Sequence, residues 1–256
     1  MSEPAEIRRP VLVSFSGIDG AGKSTQIENL HCRLRDAGLR VQRLAFWDDI
    51  AVLRQFREFS RSALFKGDTG VGTPGQPVNR RDKNVQTWYM NGFRIVLYSL
   101  DAAWLSLVVR KALRAHADVI IFDRYLYDEI ANLPLRYRIT RSFVYLLLKL
   151  APQPDISYLL DADPVQARAR KPEYPLEFVQ SNRAAYLALS QLTRTMTVIG
   201  PLTAAEVARD VLQEVVRKLS PQQCNAISAL CAQRGAGAES GPEPRSIASI
   251  PGMAGT

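Results

Sequence analysis

Apolar positions along the chain follow two periods. In Val11-Leu12-Val13-Ser14-Phe15-Ser16 apolar residues stand on both parities, and the run ends at Gly17. A two-sided apolar run suits a central parallel strand, which helices cover on both faces. From Ser24 the period changes: Ile27, Leu30, Leu34 and Ala37 recur at helical spacing, and Gly38 supplies the stop. Leu39–Phe46 reads as a second strand, Val119–Phe122 as a third, Ile156–Leu160 as a fourth and Met196–Ile199 as a fifth. Helices fill the gaps. Asp163-Pro164 is a helix start, with Asp as cap and Pro in the first turn. Thr203-Ala-Ala-Glu206 has capping-box spacing and opens a last helix to about Leu219. Strands alternating with helices imply right-handed crossovers, so the predicted class is α/β with a five-stranded parallel sheet flanked by helices.

Two segments break the pattern. Gly67–Asn84 is rich in Gly, Pro and charge and reads as a long loop, a feature usually functional or mobile in compact domains. Pro221–Thr256 is rich in Ala, Gly, Ser and Pro and has too few large apolar residues to offset its ordering entropy. The expected organisation is one domain over residues 1–220 and a disordered low-complexity tail over 221–256, which suits a 256-residue chain. The longest apolar stretch, Phe93–Leu113, is interrupted by Arg94, Asp101 and Arg110 and reads as a buried helix, not a membrane span.

The formal charge of +8 suits anionic partners, and phosphate-rich small molecules satisfy it as well as nucleic acid does. No basic run has interleaved aromatics, which argues against nucleic-acid binding. Cys32, Cys224 and Cys231 lack C-x-x-C spacing and the chain has 2 histidines, so neither a disulfide framework nor a zinc site is indicated. Met1–Pro10 carries mixed charge and no apolar core, unlike a signal peptide, and a cytoplasmic protein is expected.

The chemistry enters at Gly17-Ile-Asp-Gly-Ala-Gly22-Lys23-Ser24, a match to G-x-x-x-x-G-K-[ST] between a predicted strand and a predicted helix. Glycines let backbone N–H groups turn around a phosphate while the following helix presents its positive end. Lys23 would neutralise the β- and γ-phosphates, and Ser24 would ligate magnesium. The predicted fold is therefore the P-loop NTPase type. Asp123-Arg124 follows the third strand, where ligands gather in open parallel sheets. Asp123 is the second candidate for magnesium, through water. Many P-loop hydrolases place a water-orienting Glu after that Asp; Arg124 instead suits gripping a phosphate, which favours transfer over hydrolysis. Arg168-Ala-Arg170-Lys171 ends the helix opened by Asp163 and reads either as a solvated helix end or as a lid closing positive charge over the phosphates.

Together these residues resemble the thymidylate kinase family. Gly17–Gln26 has that family's Asp19 and Ser-Thr-Gln ending, and Asp123-Arg124-Tyr125 matches its Asp-Arg-Tyr motif. Leu160-Asp-Ala-Asp-Pro164, the Arg-bearing lid and Glu173-Tyr174 follow in the family's order over about Val11–Leu219. The resemblance implies ATP with Mg2+ as phosphate donor and a small-molecule nucleotide as acceptor. It implies ATP contacts from Gly17, Asp19, Gly20, Ala21, Gly22, Lys23, Ser24 and Thr25, and catalytic roles for Asp19, Lys23, Asp123, Arg124, Arg168 and Arg170. Acceptor contacts would come from Tyr98, Arg124 and Tyr125 together with the second strand end. Family members are commonly homodimers packed through helices; the apolar Ile95–Leu113 face is either such an interface or part of the domain's own core.

Two positions depart from the family pattern. Where it usually carries a phosphate-gripping Arg, this chain reads Phe46-Trp47-Asp48-Asp49, and the base-reading Arg of the third helix is replaced within Asp101-Ala102-Ala103. Three readings follow. In a thymidylate-like monophosphate kinase, Arg124 with Arg80, Arg81 or Arg94 replaces the missing grip. In a kinase of an uncharged hydroxyl, such as a nucleoside, Asp48 or Asp49 takes the hydroxyl proton as base. In a regulatory module nucleotide binds without transfer, against which the intact Lys23, Asp123, Arg124 and lid argue.

Overall fold

The computed structural model describes residues 9–50 and 88–219; the expected Gly67–Asn84 loop, Arg80, Arg81 and the 221–256 tail lie outside them. Five strands, β1 (Val11–Ser16), β2 (Val41–Ala45), β3 (Val119–Asp123), β4 (Ile156–Leu160) and β5 (Thr197–Ile199), form one sheet in the order β2-β3-β1-β4-β5. All four pairings are parallel. The second and fifth strands are shorter than the apolar runs that predict them; Phe46, the last residue of the second run, opens a π-helical turn instead.

The two-sided apolar runs have the expected cause. Along β1, Val11, Val13 and Phe15 pack with Ile27, Leu30 and Leu34 of α1 (Lys23–Asp36) and with Val207, Val211 and Val215 of α7 (Ala204–Lys218). Leu12 and, on β3, Ile120 and Phe122 face the opposite layer. That layer comprises α2 (Trp88–Leu113), α3 (Leu126–Ile130), α4 (Arg138–Leu150) and α6 (Leu176–Thr193). Phe15 is fully buried, and burying such a side chain stabilises by about 1.5–3 kcal/mol.

Of the long apolar helix only one face is core. Leu97, Tyr98, Leu105 and Val109 of α2 are buried, whereas Val96, Leu100, Trp104 and Leu107 form an exposed apolar stripe. No helix among the described residues is long and apolar enough to cross a membrane.

Helix ends follow the sequence signals. Asp163 caps α5 (Pro164–Arg170) by accepting from Gln166 N at 2.9 Å. Thr203 and Glu206 close a reciprocal capping box on α7. The sheet's switch point is β1, with β3 on one side and β4 on the other, so the loop after β1 opens into the crevice at the strands' C-terminal ends.

Candidate active site

The loop from Gly17 to Gly22 is shaped by close backbone approaches that only glycine permits. Gly17 has φ 138, and a Cβ there would lie 2.5 Å from the Leu160 carbonyl oxygen at the end of β4. At Gly20, φ 85, a Cβ would meet the Ala167 carbonyl oxygen of α5 at 2.1 Å. The lid helix therefore lies directly on the phosphate loop. Lys23, 6% exposed, donates from Nζ to the carbonyls of Gly17 at 2.7 Å and Ile18 at 2.8 Å. Ser24 and Thr25 stand exposed in the first turn of α1, while Gly22 as its cap has open space above it.

The lid adds further positive charge. Arg170 donates to the Gly20 carbonyl at 3.0 Å, which places it over the phosphate loop, and Arg168 donates to the Tyr174 carbonyl at 2.9 Å. Lys171 lies 4.0 Å from Asp19 and 3.2 Å from Glu173. Behind the lid, Arg183 of α6 grips Asp161 with two bonds of 2.6 and 2.7 Å, tying the end of β4 to the helix after the lid. Between loop, lid and the β5–α7 connection lies a cavity of about 560 Å³, lined in part by Ala21, Gly22, Thr25, Gln166, Arg170 and Thr203. Its mixed lining and its position beside the loop suit the nucleoside end of a nucleotide.

After β3 the cations meet carboxylates instead. Asp123 accepts from Arg43 of β2 at 2.7 Å, and Arg43 also approaches Glu28 at 3.6 Å. Arg124 is left-handed at φ 70, anchored by its N–H to the Phe15 carbonyl at 3.1 Å. Its guanidinium pairs with Asp19 of the phosphate loop and, at 3.3 Å, with Asp128 of α3. Burial alone would lower its pKa, but Asp19 and Asp128 hold it above the ordinary value. Asp128, with 1% of its side chain exposed, also accepts from Ser16 Oγ at 2.6 Å, Tyr186 hydroxyl at 2.8 Å and Tyr125 N at 3.1 Å.

The remaining residues expected at the acceptor lie on three elements: after β3, on α2 and after β2. Tyr125, expected to touch the acceptor, is a core residue: its ring centroid lies 5.2 Å from that of Phe122, and its hydroxyl donates to the Pro152 carbonyl. The Asp-Arg-Tyr motif thus splits into two polar residues and one packing residue. Tyr98 lies on the buried face of α2 with Arg94 and Asp101, at helical spacing. Asp48 and Asp49 occupy a π-helical turn, Phe46–Ile50, and both are exposed. Asp49 accepts from the Ala45 N–H at 2.7 Å and so closes the end of β2. Sequence reasoning missed Ser16, Arg43, Asp128, Arg183 and Tyr186. Only Asp128 carried a local signal, an acid four residues after Arg124.

No family model matches the chain. It is 24% identical over 210 residues to a probable thymidylate kinase of Methanosphaera stadtmanae, covering 80% of this chain and 97% of that protein. To the thymidylate kinase of Dinoroseobacter shibae it is 27% identical over 221 residues, covering 78% and 94%. The chain resembles thymidylate kinases. This is the family that the phosphate-loop, Asp-Arg-Tyr and lid motifs point to. The solved thymidylate kinase of Candida albicans has the same fold, with a TM-score of 0.55 at 18% identity, covering 82% of this chain and 92% of that chain. The five-stranded parallel sheet with its flanking helices is accordingly the thymidylate kinase form of the P-loop NTPase fold.

Proposed function

We propose that this protein is a nucleoside monophosphate kinase of thymidylate kinase type, which passes the γ-phosphoryl group of magnesium-bound ATP to dTMP or a close relative. The observation that carries the reading is the Arg170–Gly20 contact, which brings a lid cation onto the same loop that holds Lys23. Phosphoryl transfer is mainly positioning and charge stabilisation, and this arrangement supplies both from two sides.

The residues present fit the donor. Lys23 rests on two loop carbonyls, a position from which a polyphosphate can take over its N–H donors, and the close approaches at Gly17 and Gly20 form a backbone cradle. The Ser24 hydroxyl, in the exposed first turn of α1, would hold magnesium, and Asp123 would join it through water. Bound there, the metal would neutralise charge on the transferring phosphates. Arg168 and Arg170 would act on the moving group, and Arg124 beside Asp19 would grip the acceptor phosphate. An acceptor monophosphate oxygen is already anionic. It attacks the γ-phosphorus as the bond to the β-phosphate oxygen breaks, releasing ADP, and no residue need remove a proton. A cytoplasmic location agrees with such a substrate. The exposed stripe Val96, Leu100, Trp104 and Leu107 further suggests a homodimer packed through α2, which size-exclusion chromatography with Trp104→Glu tests.

The experiment is an ADP-release assay with dTMP, other monophosphates and uncharged deoxynucleosides, run on the wild type, Asp48→Asn and Asp49→Asn. The expected result is turnover with a monophosphate, dTMP first. Both variants should keep turnover within about threefold, or bind acceptor more tightly, since two unit charges 4 Å apart repel by roughly 4 kcal/mol at an effective dielectric of 20. Turnover only with a nucleoside, abolished in one variant, would replace the monophosphate by a hydroxyl. ATP binding without transfer to any acceptor would reduce the protein to a nucleotide-binding module.

A further inference from the structure

The carboxylate of Asp128 is the most heavily committed acceptor in the site. Its Oδ2 takes Ser16 Oγ and Tyr125 N, and its Oδ1 takes the Tyr186 hydroxyl and Arg124 Nη1. A carboxylate has about four lone-pair positions, so all are filled. The four donors come from separate parts of the molecule: the last residue of β1, the two residues after β3, and α6, which follows the lid. Burial and the neighbouring Asp128 charge push the Tyr186 hydroxyl up in pKa, which keeps it a donor.

Arg124 depends on this arrangement. Its backbone sits in the left-handed region, and its side chain spans the gap between Asp19 and Asp128. Arginine has much rotamer freedom to lose, and a fork held at one nitrogen alone can still swing. Asp19 belongs to the phosphate loop, and Lys171 of the lid also approaches it, so it shares its charge. Among the described residues Arg124 is the one cation paired with Asp128, whose other donors are two hydroxyls and one backbone N–H.

We propose that Asp128 is a positioning residue that fixes the Arg124 guanidinium beside the phosphate loop and locks α6 and the end of β1 to the same anion. It acts through Arg124 and touches no substrate. In kinetic terms this rests on the phosphotransferase reading; the guanidinium's immobilisation does not. An amide is a poor replacement, because an Asn NH2 would face either Tyr186 and Arg124 or Ser16 and Tyr125 N, setting donor against donor.

The test uses the full chain with ¹⁵N-labelled arginine. In the wild type the Arg124 Nη resonances, assigned by their loss in Arg124→Lys, should be resolved from one another, as for a guanidinium that does not rotate. In Asp128→Asn they should merge into an averaged signal. Resolved, unshifted resonances in a folded Asp128→Asn protein would overturn the proposal whether or not the chain is a kinase. With dTMP and saturating magnesium-ATP, Asp128→Asn should lower kcat by about 10²-fold, as misplacement by an ångström can, with KM for ATP changed less than about threefold. In an Arg124→Ala background the same change should cost no more than about twofold, because residues acting as one unit are not additive. Fully additive losses would make Asp128 a mere structural support and also overturn the proposal. Should Asp128→Asn fail to fold, Tyr186→Phe, which removes one donor and keeps the charge, must broaden or shift the Arg124 signals; no change there counts against the proposal. A wild type with no turnover removes the monophosphate kinase reading and leaves the NMR arm to decide the role of Asp128.

Discussion

On the loop-and-lid side of the site, Lys23, Arg168 and Arg170 donate to the carbonyls of Gly17, Ile18, Tyr174 and Gly20. Across the crevice, Arg43 sits on the carboxylate of Asp123, and Arg124 on those of Asp19 and Asp128. Carbonyls are neutral partners. A phosphate that replaces one converts an ordinary hydrogen bond into a charge-assisted one, roughly twice as strong. A phosphate arriving at Arg43 or Arg124 must instead share a cation with an anion already in place. The first arrangement suits groups that change partners as substrate binds and the lid moves. The second suits groups that must already be in position.

The largest effect that follows is at Lys23. Lys23→Ala removes the one side-chain cation within the phosphate loop and leaves the Gly17 and Ile18 carbonyls to water. We expect kcat to fall about 10²–10³-fold and magnesium-ATP binding to collapse, measured by steady-state kinetics and calorimetry. Unchanged nucleotide affinity in the folded variant would break the comparison at its strongest point, since the carbonyl-held cations would then not be the ones that receive phosphate.

A smaller effect separates the two lid arginines. Arg170 reaches the phosphate loop, while Arg168 is turned to the chain after the lid. Arg170→Ala should cost about 10²-fold in kcat and little in ATP affinity, the signature of a contact made in the transition state. Arg168→Ala should cost less than Arg170→Ala unless the lid rearranges on binding. Near-normal turnover in both would reduce the cluster to a solvated helix end.

The sequence made the loop-and-lid side readable because its chemistry is local. Gly17 to Ser24 and Asp163 to Lys171 are continuous segments in which conformation and charge arise from neighbouring residues. The carboxylate-held side is assembled from residues far apart: Ser16 meets Asp128 across 112 positions, and Arg43 meets Asp123 across 80. No periodicity or spacing encodes such meetings; they follow from sheet order, which brings β1 and β2 to either side of β3. The burial of Tyr125 is illegible for the same reason. A motif fixes which residues follow β3 but not which of them turns inward, and packing against Phe122 and Tyr127 decides that. Asp48 and Asp49 were legible as acids in an unusual place, whereas Asp49's bond to Ala45 N depends on a π-helical turn that the residues do not announce.

The smallest expected effect probes whether the loop-and-lid side truly rests on backbone dipoles more than on paired charge. Thr203, at the rim of the 560 Å³ cavity, caps α7 by accepting from Glu206 N at 3.3 Å, and the Glu206 carboxylate accepts from Thr203 N at 2.9 Å. The adjoining Ala204 carbonyl takes the Gln26 amide of α1 at 3.0 Å, so the cap also joins the helices of one layer. Thr203→Ala should lower stability by about 1 kcal/mol and Tm by about 2–4 °C. Its pH dependence has a fixed sign. The Thr203 hydroxyl, and then the Thr203 backbone N–H, hold the Glu206 carboxyl below its ordinary value of 4.5. A carboxyl lowered by folding adds stability that is present above 4.5 and is lost as pH falls through the folded value. The stability gap between wild type and Glu206→Gln, read from denaturant melts, should therefore be widest near neutrality and shrink below about pH 4. A gap that stayed constant down to pH 3 would mean that the carboxylate contributes shape and no charge. A rise of tenfold or more in KM for ATP in Thr203→Ala would instead make the cap part of nucleotide binding, and the contrast between dipole-held and charge-held sides would have to be redrawn around it.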